Sequence, residues 1–371
     1  MIRVVCIVGA RPNFIKTAPL LRAMRARASR LTVRLVHSGQ HYDDAMSQVF
    51  FDELKLPAPR INLGVGSGSH AEQTAKIMMA CERVFLREQP GWVLVLGDVN
   101  STLAGALAAA KLHIRVAHVE AGLRSFNKRM PEEINRVLVD HVSDLLCCPT
   151  RQAVENLKAE GIRRGVHRVG DVMYDAVLQY AALAHRRSRI FQTLHLRPRA
   201  YALATIHRAE NTDDPDRLLS ILEGLARSGE RVILPLHPRT RKSLRRLGRG
   251  VVDAHRVRII PPVTYLDMLM LEQRARVIVT DSGGVQKEAF FFRVPCLTVR
   301  DETEWVETAE AGWNELVGAD ARRIGEAMAR LRRHGYRPLR HRRAVSRQPF
   351  GDGHASERIV ELLLGCGRTP S

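Results

Sequence analysis

The chain has 371 residues, which is enough for two domains that each bury a core. Hydrophobic residues make up 45% and charged residues 26%, and no segment reaches the roughly 18–20 consecutive apolar residues of a membrane span. The low aromatic content of 5% favours an α/β fold over a β-sandwich.

The net charge is +19, because 58 Lys and Arg residues outnumber 39 Asp and Glu residues. Much of the arginine lies in three runs, at 186–189, 239–249 and 322–343. Such runs could bind nucleic acid or a membrane surface, but they contain almost no aromatic residues and match no nucleic-acid-binding module. We therefore expect a solvated basic surface that suits an anionic substrate, with no nucleic-acid partner and no membrane insertion.

The N-terminus and the cysteines indicate a cytoplasmic protein. The apolar stretch 1–8 is too short for the core of a signal peptide and continues into Gly9 without a cleavage site, so it is interpreted as the first strand. None of the six cysteines belongs to a Cys-x-x-Cys pair. Buried free thiols in a reducing compartment are the expectation.

The first half of the chain alternates between strand and helix patterns. The fully apolar run at 92–96 is typical of a parallel strand that is buried on both faces. Apolar residues at helical spacing predict the helices that follow such strands. The predicted strands are 3–8, 31–37, 92–96, 115–119 and 145–149, and the predicted helices are 14–27, 43–54 and 101–112.

The alternation restarts after an arginine-rich stretch at 182–199, which is interpreted as an interdomain segment. Two doubly wound parallel sheets are the predicted architecture. Ligands of such sheets bind outside the carboxyl ends of the strands, so functional residues are expected in the loops there. The predicted strands of the second half are 200–206, 231–236, 256–260, 275–280 and 295–299, with helices such as 215–227 and 265–273 between them.

Two strand-end loops are suited to phosphate. The loop 9–13 opens a helix whose free backbone N–H groups attract an anion, and Arg11 and Lys16 add positive charge, although an ordinary strand–helix turn explains this loop equally well. The second loop contains Ser282, Gly283 and Gly284, where missing side chains let backbone amides approach a diphosphate. Glu288, further along the next helix, could accept hydrogen bonds from a ribose diol.

Acidic and basic residues at other strand ends predict an acid–base site that faces an anion. The helix that begins at Pro131 carries two acids in its first turn, which is also ordinary helix N-terminal chemistry. The candidate acids and bases are Asp98, Glu120, Glu132 and His207, with Arg11, Lys16 and Arg136 as cations and His237 at a neighbouring strand end. No His or Cys spacing predicts a metal site, and Ser282 lacks the Gly-x-Ser-x-Gly context of a nucleophile.

Taken together, these motifs closely resemble the non-hydrolysing UDP-N-acetylglucosamine 2-epimerases. The resemblance covers almost the whole chain and follows the same order. The motifs that carry it lie at 9–12, 38–41, 97–98, 118–124, 131–136, 207–211, 281–288 and 300–304.

The resemblance implies a fold like that of glycosyltransferase B, with two Rossmann-like domains and a cleft between them. It implies domains at 1–168 and 169–352, a C-terminal helix within 353–371 that packs on the first domain, and a homodimer. It also implies inversion at C2 of a UDP-2-acetamido sugar, by anti elimination of UDP and re-addition, with no metal and no cofactor. In bacteria such an enzyme would serve surface polysaccharide synthesis.

The resemblance also assigns roles to individual residues. It implies catalytic roles for Asp98, Glu120, Glu132 and His207, and it leaves open which carboxylate serves which face of C2. It places UDP chiefly against the second domain. The implied UDP-sugar contacts are Arg11, Lys16, Arg136, His237, Ser282, Gly283, Gly284, Glu288 and Arg300.

Some members of the family are activated by their own substrate, which binds at a second site. This sequence departs from those members. Tyr42 and Asp43 follow His41, and Ala209 stands where those members have an arginine, so such activation is not expected. These positions look more like the branch that acts on UDP-2,3-diacetamido-2,3-dideoxy-glucuronate. The diacetamido uronate and UDP-N-acetylglucosamine remain equal alternatives. A UDP-sugar glycosyltransferase of the same fold is the alternative function, since fold alone does not exclude it.

Overall fold

The computed structural model describes residues 1–9, 11–39, 53–54, 56–57, 59–248, 255–334 and 348–365, without the side chains of Arg11, Pro12 and His334. Residue contacts divide the chain into two compact units, one of Met1–Gln179 with Gln348–Ser371 and the other of Tyr180–Arg347. The sequence predicted a boundary at 168/169. The predicted helix at 43–54 lies, apart from its last two residues, outside the described residues, as does the Gln40–Asp43 motif.

In the described part of the first unit, seven parallel strands form one sheet in the order β3-β2-β1-β4-β5-β6-β7. Its central strand β4 is buried at all five positions, which explains its uninterrupted apolar sequence. The strands are β1 Ile2–Val8, β2 Leu31–His37, β3 Ile61–Asn62, β4 Trp92–Leu96, β5 Arg115–Val119, β6 Leu145–Cys148 and β7 Val166–Arg168.

Helices cover this sheet with small and aliphatic side chains. The alanine-rich α3 packs its buried face into the same core as Ile7, Val93 and Val95. Ser69 and Thr150 cap the helices that follow them by accepting hydrogen bonds from the backbone. The helices are α1 Arg11–Arg25, α2 His70–Glu88, α3 Asn100–Lys111, α4 Pro131–Val142, α5 Arg151–Ala159 and α6 Val172–Arg187.

The second unit repeats the architecture with six parallel strands among its described residues, in the order β10-β9-β8-β11-β12-β13. Two apolar clusters occupy its core, and both combine side chains of these strands with side chains of the helices that pack on them. The strands are β8 Ala202–Thr205, β9 Val232–Pro235, β10 Val257–Ile260, β11 Val277–Thr280, β12 Cys296–Thr298 and β13 Asn314–Leu316. The predicted fold of two doubly wound parallel sheets is therefore confirmed.

The stretch 182–199 differs from the predicted interdomain segment. It contains the end of α6 and all of α7, and it contributes Ile190, Leu194 and Leu196 to the core of the second unit. Its many arginines hid these widely spaced apolar residues. The helices of the second unit are α7 Ile190–Leu194, α8 Ala209–Thr212, α9 Pro215–Arg227, α10 Pro238–Leu247, α11 Tyr265–Arg274, α12 Gly283–Phe291, α13 Val306–Glu310 and α14 Ala321–His334.

The described residues bear on the expected state of the cysteines and on the expectation that no segment spans a membrane. The cysteines among them, at positions 6, 81, 147, 148 and 296, are free and buried, as predicted. Burial raises the pKa of the Cys6 thiol to about 12, so this thiol is inert. Among the described helices, none is long and apolar enough to cross a membrane.

The last described helix, α15 Ala355–Gly365, belongs to the first unit and packs against α1. The buried Asp175 on α6 accepts hydrogen bonds from the backbone N–H groups of Ala355 (3.2 Å) and Ser356 (2.7 Å). These two groups start α15 and would otherwise lack an intrahelical partner. A side chain 180 residues earlier in the chain therefore caps the C-terminal helix.

We expect Asp175→Ala to destabilise the first unit by about 2 kcal/mol, since two buried N–H groups lose their acceptor. Urea unfolding measures this free energy. The matched control is Glu361→Ala, which removes the exposed ion pair between Glu361 on α15 and Arg27 in the turn that follows α1. An exposed pair contributes about 0.2–1 kcal/mol, so equal effects of the two substitutions would contradict the capping role.

Candidate functional site

The strand order of each sheet reverses at one pair of neighbouring strands, which are β1 and β4 in the first unit and β8 and β11 in the second. Loops leave the carboxyl ends of such a pair in opposite directions and open a crevice there. Gly9 and Gly97 follow β1 and β4, and His207 and Asp281 lie just beyond β8 and β11. Some of the candidate residues predicted from the sequence follow these four strands, whereas Glu120, His237 and Arg300 follow β5, β9 and β12.

In the first unit, α1 is fastened to the ends of β1 and β4. Asn13 accepts a hydrogen bond from the Gly9 N–H (3.3 Å) and donates one to the Leu96 carbonyl (3.1 Å). One turn later, Lys16 forms an ion pair with Glu120, and the two side chains are 13% and 3% exposed. The predicted cation and the predicted acid are therefore direct partners.

The backbone around Glu120 is shaped to bring its carboxylate beneath Gly97. Glu120 has a φ of +69°, which is uncommon for a residue with a side chain. Gly97 also has a positive φ, and a Cβ there would lie 3.4 Å from Glu120 Oε2 and 3.7 Å from Lys16 Nζ. A side chain at position 97 would therefore crowd the Lys16–Glu120 pair as well as strain the turn.

Asp98 is held by a second buried cation. Its carboxylate forms an ion pair with Arg136, whose side chain is 2% exposed while that of Asp98 is 29% exposed. Arg136 also donates to Glu133 Oε2 at 2.9 Å. The predicted contact between Arg136 and a substrate stays a prediction, because in this structure the guanidinium is turned towards these two carboxylates.

The two acids of the first turn of α4 differ in their surroundings. Glu133 is buried and accepts hydrogen bonds from the Ser125 and Phe126 N–H groups, both at 2.9 Å, so it shapes the preceding loop. Glu132 is only partly buried. Of the two, Glu132 is therefore the acid that a ligand could reach.

Behind this site lies a buried ionic chain that the sequence analysis did not identify. His118 on β5 places Nδ1 2.7 Å from Asp140 and Nε2 2.8 Å from the Gly97 carbonyl. Asp140 also accepts hydrogen bonds from the Gly122 N–H (3.0 Å) and from Arg124 (2.7 Å). This series of buried contacts fixes the turn that carries Asp98, because His118 contacts the Gly97 carbonyl directly.

The charges around Asp140 determine its ionisation. Burial raises the pKa of Asp140, but the charges and hydrogen bonds of His118 and Arg124 outweigh burial and bring the pKa below its ordinary value. Asp140 is therefore a stable anion that neutralises Arg124, which is also almost fully buried.

We expect Asp140→Asn to cost about 3–5 kcal/mol at neutral pH, because it leaves Arg124 buried without this counter-charge. A depressed carboxyl pKa contributes stability above the unfolded pKa of about 3.9, and this stability is lost as pH falls through the lower folded pKa. The difference between wild type and variant should therefore shrink below about pH 4 in urea unfolding.

The control is Glu160→Gln. Glu160 also pairs with Arg124, but its side chain is 28% exposed, so a loss of about 1 kcal/mol is expected. A loss for Asp140→Asn that is no larger, or that does not change with pH, would contradict the role given to Asp140.

In the second unit, one buried carboxylate organises the ends of β8 and β11. Asp281 is fully buried and accepts hydrogen bonds from the N–H groups of His207 and Arg208 and from the Asn211 side chain, at 2.9–3.2 Å. The His207 ring places Nδ1 3.2 Å from Asp281 and is 35% exposed. Nδ1 is therefore engaged, and Nε2 is the nitrogen that can meet a ligand.

Asp281 was not among the predicted site residues, although it precedes the predicted loop. Burial raises its pKa, but the charge and hydrogen bond of His207, with the other donors, outweigh burial and lower the pKa. The pair has the arrangement in which a carboxylate fixes the tautomer of a proton-transferring histidine.

The predicted diphosphate loop forms the start of α12. Ser282 caps this helix and accepts a hydrogen bond from the Val285 N–H (3.5 Å). A Cβ at Gly283 would lie 2.4 Å from Glu304 Oε1 and 2.9 Å from Trp305 Nε1, so glycine is required there. Gly283 and Gly284 are the first two residues of the helix, where N–H groups have no intrahelical acceptor.

The remaining predicted contacts differ in their accessibility. Arg300 is 1% exposed and pairs with Glu304 (2.9 Å) and Glu210 (3.3 Å). Glu288 is buried and accepts a hydrogen bond from the Tyr265 hydroxyl at 3.0 Å. His237 caps α10, and its ring centroid lies 5.3 Å from that of His207. The side chain of Arg11 lies outside the described residues.

Some arginines of the second unit lie at the opposite edge of its sheet from these strand ends. A cavity of about 360 Å³ lies at the amino ends of β8, β11, β12 and β13. Its walls include Arg199, Arg276, Arg293, Arg332 and Trp313. Across the described residues of both units, no group of three or more His, Cys, Asp or Glu side chains is arranged to hold a metal ion.

The chain matches the protein-family model described as UDP-N-acetylglucosamine 2-epimerase over residues 22–364. It is 49% identical, over 97% of its length and 99% of the relative, to UDP-2,3-diacetamido-2,3-dideoxy-D-glucuronate 2-epimerase of Pseudomonas aeruginosa. The crystal structure of Methanocaldococcus jannaschii UDP-GlcNAc 2-epimerase in complex with UDP-GlcNAc and UDP is similar, with a TM-score of 0.87, 42% identity and coverage of 98% and 99%.

A more distant similarity concerns the fold alone. The structure of a UGT transferase from Siraitia grosvenorii in complex with UDP matches with a TM-score of 0.54 and 13% identity, covering 90% of this chain and 92% of that one. The pair of Rossmann-like sheets is thus shared with this transferase, as predicted for a fold like that of glycosyltransferase B.

Proposed function

We propose that this chain inverts C2 of a UDP-linked 2-acetamido sugar without hydrolysing the sugar. The reason is that the chain belongs to the UDP-N-acetylglucosamine 2-epimerase family. The near full-length match carries this proposal. The paired carboxylates at the ends of β4 and β5 support it, because proton transfer at a sugar carbon needs acids and bases in fixed positions.

The chemistry follows from the weak acidity of the C2 proton. A base removes this proton as the bond between C1 and the UDP oxygen breaks, so the electron pair of the C–H bond forms the C1–C2 double bond of a 2-acetamidoglucal. UDP then adds back to C1 while a proton arrives on the opposite face of C2. The reaction therefore needs two proton-transfer groups and a positioned cation for the leaving UDP.

In this proposal the first unit supplies the proton-transfer groups. Asp98, Glu120 and Glu132 are the candidates, and either face of C2 could fall to any of them. Glu120 and Asp98 are each held by one cation, Lys16 and Arg136, which fixes their direction. Fixed direction matters because misplacement of a reacting group by about 1 Å can cost about a hundredfold in rate.

The second unit supplies the groups that bind UDP in the same proposal. The start of α12, with Ser282, Gly283 and Gly284, suits the diphosphate, and Glu288 suits the ribose diol. His207, with Asp281 behind it, suits the developing charge on the leaving oxygen, since a protonated imidazole can stabilise or protonate it.

The substrate is UDP-N-acetylglucosamine or UDP-2,3-diacetamido-2,3-dideoxy-glucuronate, which share the reacting carbons and the leaving group. Relatives named for each are similar to this chain at 44% and 49% identity. The homodimer, the cytoplasmic location and the service to surface polysaccharide synthesis stay predictions. The glycosyltransferase alternative has only the shared fold in its favour.

The proposed activity is tested by proton NMR of the purified protein with each UDP sugar in heavy water. We expect the C2 proton signal of one substrate to disappear while a manno-configured UDP sugar accumulates without free sugar. Retention of the C2 proton in both sugars, or transfer of the sugar to an added acceptor, would contradict the proposal.

We expect Asp98→Asn and Glu120→Gln each to lower kcat by about 10²–10⁴-fold, because each removes a proton-transfer group and keeps its shape. The matched control is Asp144→Asn, which changes an exposed acid at the amino end of the same sheet whose carboxylate accepts a hydrogen bond from the Val116 N–H. Steady-state kinetics and urea unfolding should show near-normal turnover for the control and folded variants throughout. Near-normal turnover in both site variants would overturn the assignment.

A further inference from the structure

A buried acid next to the proposed UDP site has no role in the mechanism above. Glu272 lies on α11, and its side chain is fully buried in the second unit. Neither of its carboxyl oxygens accepts a hydrogen bond from any donor among the described residues. As an anion, Glu272 would be a buried charge without a partner, which costs several kcal/mol.

The groups that face Glu272 make an anion still less favourable. They are Glu288 on α12, Tyr265 at the start of α11, Tyr201 beside β8 and Cys296 on β12. None of these four groups is a cation. Burial first, and then the charge of Glu288 and a hydrogen bond to it, raise the pKa of Glu272 well above its ordinary value.

A neutral Glu272 carries a proton that it can donate in a hydrogen bond, whereas its anion can only accept hydrogen bonds. Its hydrogen-bond partner is then the Glu288 carboxylate. Tyr265 lies seven residues before Glu272, on the same face of α11, and its hydroxyl donates to Glu288 Oε1 at 3.0 Å. Two donors from one helix therefore hold the carboxylate of the neighbouring helix.

We infer that Glu272 is a positioning residue for nucleotide recognition: its protonated carboxyl and the Tyr265 hydroxyl together hold Glu288 ionised and directed at the ribose diol of UDP. The inference rests on the proposed function, which gives Glu288 the ribose contact. Glu272 itself touches no substrate atom in this arrangement. Its effect should appear in the affinity for the ribose, and kcat at saturating substrate should stay within about twofold.

Calorimetric titration of the full chain with UDP and with 2′-deoxy-UDP tests this inference. Glu272→Gln keeps a donor towards Glu288 and should bind UDP as the wild type does. Glu272→Met removes the donor but fills the same buried space, and should weaken UDP binding by about tenfold, since a hydrogen bond to a charged group is lost. The loss should be smaller for 2′-deoxy-UDP, which has only half of the diol.

A pH series adds a second readout. Glu272 becomes an anion as pH rises through its raised pKa, and it then repels Glu288 in place of donating to it. UDP affinity of the wild type should therefore fall as pH rises through this raised pKa, relative to Glu272→Gln, whose amide does not titrate. Ionisation of UDP itself cancels in this ratio.

Glu288→Gln separates failure of this inference from failure of the proposed function. The ribose assignment fails if Glu288→Gln does not weaken the binding of UDP more than the binding of 2′-deoxy-UDP, or if UDP does not bind the wild type. The inference then fails with it. If Glu288→Gln has that effect but Glu272→Met binds both nucleotides as the wild type does, or weakens both equally, only the role of Glu272 is overturned.

Discussion

The reversal of strand order at β1/β4 and at β8/β11 is the constraint on which the site depends. Parallel strands end at one edge of their sheet, so residues far apart in sequence meet there without a dedicated scaffold. Lys16 meets Glu120 across 104 residues, and His207 meets Asp281 across 74. Each contact joins segments that follow neighbouring strands or strands next but one in the sheet.

Burial alone does not determine how the acids of this protein ionise, because the groups around each carboxyl decide whether its pKa is raised or lowered. Asp140 and Asp281 are buried among cations and N–H groups, which lower the pKa of each below its ordinary value. Glu272 is buried beside another acid, which raises its pKa. The first two therefore act as fixed negative charges, while the raised pKa of Glu272 favours its neutral form, although all three are buried.

The fold was more predictable than the support of the site. The alternation along β2 and the uninterrupted apolar run of β4 are clear patterns, and β2, β4 and β5 were predicted at their observed bounds, whereas β3, with only the two residues Ile61–Asn62, leaves too short a pattern. Strand-end loops could be read as candidate sites from residue type. The role of Asp140 could not be predicted in this way, because it depends on contacts with His118, 22 residues earlier, and with Arg124. No local sequence pattern indicates such partners.

The central claim is that the bond between C1 and the UDP oxygen breaks during turnover. A substrate labelled with ¹⁸O in the oxygen that bridges C1 and phosphorus tests it most directly, with phosphorus NMR of the sugar recovered at equilibrium. The label should move from the bridging position into the non-bridging oxygens of the β-phosphate, because the phosphate group of the departed UDP rotates before UDP adds back. Exchange of the C2 proton with the label still in the bridge would contradict elimination.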